Sequence, residues 1–128
     1  MNGKFLLDTN IAIAFLIGDE TLQRPAPSSE LYISSIAIGE LFYGALNSNK
    51  IDENILRLAE FIRDTVTVKC DDDTARIYGE IKTALRKKGR PIPDNDIWIA
   101  ATAKQHSLSL ATRDEHFEDV DQINIVRW

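Results

Sequence analysis

Short apolar or β-branched runs alternate with helix-like segments along this chain, and that alternation constrains the fold more than any other feature. Lys4–Leu7 reads as a buried strand. Asp8, Thr9 and Asn10 follow it and open the apolar stretch 11–17, as helix-start residues do. Residues 18–29 contain Pro25 and Pro27 and read as a loop. Residues 31–34 form a second strand, and Ser35 opens a helix over about 36–46 that Asn47, Ser48 and Asn49 stop. Within 52–64, Ile55, Leu58, Ala59 and Ile62 recur at helical spacing. Residues 65–70 make a third strand. Asp71, Asp72 and Asp73 begin a helix that runs to about Lys88 and closes at Gly89, with Tyr78, Ile81 and Leu85 as its apolar stripe. Past a Pro91-Ile92-Pro93 connector, Asp94, Asn95 and Asp96 start the apolar helix 97–105. Residues 108–111 and 123–126 complete the strands. Strands alternating with helices predict an α/β sandwich: a parallel four- or five-stranded sheet with helices on its faces.

At 128 residues the chain suits one domain spanning 1–128, and no repeat, low-complexity tract or linker divides it. Cys70 is the only cysteine, which excludes an internal disulfide and a CxxC metal site. His106 and His116 lack HExxH spacing. A metal here is therefore expected to bind through oxygen, which favours Mg²⁺ or Mn²⁺ over zinc. No run approaches the roughly 20 apolar residues of a membrane span, and the first residues do not resemble a secretory signal. A cytoplasmic location and no membrane partner are the expectations. A net charge of -5 argues against coating nucleic acid through bulk charge. It leaves room for a nuclease with an acidic metal pocket.

Four acids stand out. In open parallel sheets, ligands bind outside the C-terminal ends of the strands. Asp8 ends the first strand, Asp114 follows the fourth, and Asp96 opens the helix that leads into the fourth. These three converge on one sheet edge by topology alone. Glu40 joins them only if its helix leans over that edge, which Ala37 and Gly44 on the same face would allow. Singly, each is an ordinary residue: Asp8 and Asp96 suit helix caps, Glu40 a solvated helix position, Asp114 a turn. Together they repel; two carboxylates 4 Å apart do so by about 4 kcal/mol at an effective dielectric of 20. A divalent cation would relieve that, and in such a site it serves hydrolysis of a phosphodiester.

The blocks LLDTN, YISSIAIGE, PIPDNDIWIAATA and LATRDEHF, in this order, resemble those of PIN-domain proteins. The resemblance covers Lys4 to Trp128 and is greatest to the VapC-type toxins of bacterial and archaeal toxin–antitoxin systems, including their FitB-like relatives. It implies a PIN-like three-layer sandwich and Mg²⁺-dependent endoribonuclease activity, with Mn²⁺ able to substitute. Position by position, the family's acids fall on Asp8, Glu40, Asp96 and Asp114, the last being Asn in many relatives. Thr112 matches a position that orders the acidic site by hydrogen bonding. Asp94 matches no fixed acid and reads as a helix-start or supporting residue. The resemblance further implies an RNA substrate, a homodimer and inhibition by a VapB-type antitoxin.

The remaining features carry plainer readings. Segment 82–90 has five basic residues and no acid. It suits a solvated helix end somewhat better than a phosphate-binding patch. His116 and Phe117 read as packing against the sheet, His106 as a helix-end residue, and Trp98 and Phe42 as core or dimer interface. Two other functions compete. A haloacid-dehalogenase-type phosphatase wants a second acid two residues after Asp8, where Asn10 stands. A non-catalytic PIN-like binding module has no need of all four acids.

Overall fold

The computed structural model describes residues 3–128. Five strands, β1 (Lys4–Leu7), β2 (Glu30–Ser34), β3 (Val66–Val68), β4 (Ser109–Ala111) and β5 (Ile125–Val126), form one sheet in the order β3-β2-β1-β4-β5. Every pairing is parallel. Five α-helices connect them: α1 (Thr9–Ile17), α2 (Ser35–Leu46), α3 (Ile51–Asp64), α4 (Asp72–Lys88) and α5 (Asp94–Gln105). A short 3-10 helix, Glu115–Asp119, lies between β4 and β5. The expected α/β sandwich is thus the observed one, with five strands.

β1 is central, and the order in which strands are added reverses there. The chain leaves β1 through α1 for β2 on one side, and leaves β4 for β5 on the other. The crevice between the C-terminal ends of β1 and β4 is therefore the topological switch point where α/β sheets bind ligands. Register fixes its walls: Leu7 pairs with Ala111, and the Asp8 amide donates to the Ala111 carbonyl at 2.9 Å.

Side chains alternate across β1, as strand geometry requires. Leu6 enters a large core with Ile33, Leu58, Ile81, Ile97, Leu110 and Phe117. Leu7 enters a smaller one with Ile11, Ala14, Leu22 and Ala111, against which Trp128 packs. Phe5 meets the Trp128 ring at 4.8 Å between centroids, tying the C-terminal segment to the central strand.

Local chemistry sets the helix ends. The Ser34 hydroxyl accepts from the Ala37 amide at 3.1 Å and starts α2 directly after β2. Asp71 and Thr74 form a reciprocal capping box on α4. Gly89 then stops that helix in the left-handed conformation, at φ 68°. β3 and β5 are shorter than the sequence pattern implied, because each is an edge strand with a pairing partner on one side only. In α3, Leu58 is buried and Ile55 and Ile62 half-buried, whereas Ala59 stays exposed. Among the described residues, no helix is long and apolar enough to cross a membrane.

Candidate active site

Asp8 is the buried centre of the crevice. Its backbone is extended, as an N-cap requires, and its Oδ1 accepts from the Thr9 amide at 2.8 Å. Its other oxygen, Oδ2, accepts from the Thr112 hydroxyl at 2.7 Å. Thr112 follows β4 directly and is fully buried. The same hydroxyl accepts from the Asp114 amide at 2.9 Å, so one threonine orders two of the acids. Burial pushes the Asp8 carboxyl up to about 6, with the charges of Asp96 and Asp114 adding to it, although the bonds from Thr112 and Thr9 pull the other way.

Asp96 lies on the first turn of α5, two residues past the helix start. Burial is also the largest influence on its carboxyl, which is raised; contact with His116 opposes that, and the charge of Asp114 adds to it. Asp114 caps the 3-10 helix, its Oδ1 accepting from the His116 amide at 2.9 Å. This turn brings the His116 ring back over the acids. Its Nδ1 lies 3.1 Å from Asp96 Oδ2 and 3.2 Å from Asp114 Oδ2. The imidazole is raised in turn, first by the contact with Asp96 and then by the charge of Asp114.

Of the acids expected from sequence, Asp96 and Asp114 thus come together directly, and Asp8 adjoins them through Thr112 and through its electrostatic coupling to both. Glu40 is half-buried on α2 and is reached from the other side of Asp8, where the Thr9 hydroxyl donates to its Oε1 at 3.1 Å. It lines an open cleft with Thr9, Ile13, Gly39, Tyr43 and Asn95. Asp94 turns away: its carboxylate accepts from Lys82 at 2.9 Å and from the Tyr78 hydroxyl at 3.1 Å. It is the first residue of α5, consistent with its reading as a helix start.

His116 departs from expectation. Phe117 is fully buried, as expected, but His116 is exposed and sits on the acids. The available signal was the Asp114-x-His116 spacing in a turn, which folds the ring toward its own capping acid. Asp96, Asp114 and His116 together offer three ligand atoms, all within 4.8 Å of one another.

Two arginines brace the loop that carries Asp114. Arg127 donates to the Asp114 carbonyl at 2.8 Å and pairs with Glu118 at 2.9 Å. Arg113 reaches Asp19 at 2.9 Å and the Trp128 carbonyl at 2.9 Å. With Thr21 it holds the Asp19 carboxyl down at about 2, the Thr21 hydroxyl being the largest influence. In the basic segment, Lys82 pairs with Asp94 and Lys88 with Asp121. Trp98 is half-buried and stacks on Tyr78 at 4.2 Å, while Phe42 is exposed.

The family model for the PIN domain matches residues 5–123. The chain belongs to the PIN-domain family. Within it, this PIN domain is 32% identical over 130 residues to ribonuclease VapC2 of Haemophilus influenzae, covering 98% of each chain. It is 32% identical over 127 residues to ribonuclease VapC5 of Mycobacterium tuberculosis, covering 95% of this chain and 93% of the other. Among solved structures, a chain in the crystal structure of VapBC2 from Rickettsia felis bound to promoter DNA superposes with a TM-score of 0.88. That chain is 28% identical, with 98% of each covered.

Proposed function

We propose that this PIN domain is a metal-dependent endoribonuclease and the toxin member of a VapBC-type toxin–antitoxin pair. The observation that carries the reading is the convergence of Asp8, Asp96 and Asp114 on the β1–β4 switch point, two of them with carboxyls raised by burial. Buried carboxylates with mutual repulsion are costly alone and are relieved by a cation. The donor set fits a divalent ion, Mg²⁺ or Mn²⁺, held by Asp8, Asp96 and Asp114, with Glu40 completing the acidic rim. When bound, such an ion supplies positive charge against the scissile phosphate and makes water more acidic.

The chain's own groups do the rest. Thr112 fixes the rotamer of Asp8 and, through the Asp114 amide, the start of the 3-10 helix. Thr9 aims Glu40 at the cleft from the opposite wall. Glu40 would orient an attacking water and take its proton. Asn10, where a phosphatase of the haloacid dehalogenase type needs an acid, has its side chain facing the Arg113 amide at 3.4 Å.

The antitoxin is assigned to the apolar groove beside Glu40, lined by Ile13, Ile17, Leu41, Gly44, Ala45 and Leu58. Ile17 at 68% exposure and Ile13 at 45% leave apolar surface there that a partner's helix would cover. A homodimer and a single domain over 1–128 belong to the same reading. The test is cleavage of a panel of RNAs by wild type and Asp96→Asn, with and without EDTA. Mg²⁺-dependent cleavage that Asp96→Asn loses while still folded supports the proposal; cleavage untouched by EDTA or by the substitution overturns it. Co-purification with the product of an adjacent short reading frame tests the partner, and light scattering tests the dimer.

A further inference from the structure

The His116 ring occupies a place shared between two acids. Nδ1 faces two carboxylate oxygens at almost equal distance, 3.1 Å to Asp96 and 3.2 Å to Asp114. A ring nitrogen carries at most one proton, so in the metal-free protein the two acids share it. The same separations also suit neighbouring ligands of one ion: at about 2.1 Å from a metal, ligands at right angles stand roughly 3.0 Å apart. The backbone prepares this arrangement. The His116 amide occupies Asp114 Oδ1, leaving Oδ2 to face the ring.

We propose that His116 is a direct ligand of the divalent ion, so that this site holds its metal through an imidazole nitrogen as well as carboxylates and prefers Mn²⁺ to Mg²⁺. The inference rests on the metal-centre reading above and deepens it. Mg²⁺ gains little from a nitrogen donor, whereas imidazole suits first-row transition ions. Asp114-x-His116 is then a local chelate, and Asp96 supplies the third ligand atom from α5.

The test uses Mn²⁺ itself as the probe. Pulsed EPR of the wild-type protein loaded with Mn²⁺ is expected to show nitrogen hyperfine coupling, lost in His116→Asn and kept in His106→Asn, since His106 caps the other end of α5. Titration should show Mn²⁺ affinity falling at least about tenfold in His116→Asn, with Mg²⁺ affinity, read by competition, falling less than about threefold. Bound Mn²⁺ without nitrogen coupling in the wild type overturns the inference and leaves the metal centre standing. Equal loss of the two affinities does the same. A wild-type protein that binds neither ion overturns both readings. The wild-type spectrum decides the matter even if the variant fails to fold.

Discussion

Replacing Asp8 by Asn should stabilise the metal-free protein while destroying its activity. Burial raises the Asp8 carboxyl from 3.8 to about 6. The folded state thus retains a proton at pH values where the unfolded chain has lost it. Stability therefore falls as pH rises from about 3.8 to about 6, and above that range the ionised Asp8 costs about 3 kcal/mol. Asn carries no charge and keeps an oxygen that can accept from Thr112 or Thr9. Its amide nitrogen cannot accept the other of those two bonds, a loss of about 1 kcal/mol. The net gain at pH 7.5 in EDTA is then about 1–3 kcal/mol, or roughly 5–10 °C in a domain of this size. At pH 4 the gap should shrink below about 1 kcal/mol, because the wild-type carboxyl is then protonated in the fold and half-protonated outside it. Millimolar Mg²⁺ should raise the melting temperature of the wild type and scarcely move that of the variant. Thermal melts at both pH values, with and without Mg²⁺, measure all of this. A variant less stable than wild type at pH 7.5, or a gap that widens on acidification, would refute the reasoning.

Three further outcomes follow from the same geometry. Thr112→Val keeps the shape but removes the donor to Asp8 and the acceptor for the Asp114 amide; urea titration should show a loss of about 2–3 kcal/mol, with cleavage slowed at least about tenfold. Arg127→Gln removes an exposed ion pair that contributes under about 1 kcal/mol, yet frees the Asp114 carbonyl; melts should barely change while initial cleavage rates drop several-fold. Asp94→Asn should keep cleavage within about twofold, because that carboxylate is engaged by α4. Loss of activity there would place Asp94 in the site.

The parts of the site that follow from chain topology were legible in the sequence. Asp8, Asp96 and Asp114 stand at strand ends or a helix start, and the alternation of elements brings such positions to one sheet edge. Glu40 was different. Its position along α2 is fixed by sequence, but its approach depends on how that helix packs, and only the family resemblance pointed to it. Thr9, which holds it, gave no signal. From sequence, His116 reads as a packing residue, because a lone histidine without ligand spacing usually is one. The 3-10 turn that redirects it depends on Asp114 accepting from the His116 amide, a detail below the resolution of residue patterns. The edge strands β3 and β5 are shorter than the sequence pattern implies, because residue composition does not show where a partner strand ends.

The bond between Thr112 and Asp8 joins residues 104 positions apart. A growing polypeptide therefore carries its first acid long before the hydroxyl that orients it, and before Asp96 and Asp114. Until the β4 segment has left the ribosome and slotted beside β1, the carboxylates have no common edge to share. A nuclease that works through these acids, made in the midst of messenger, transfer and ribosomal RNA, should thus be inert throughout most of its own translation. Prematurely terminated products lacking β4 should likewise be harmless. The central place of β1 in the sheet acts as a timer: the first strand made waits for one of the last.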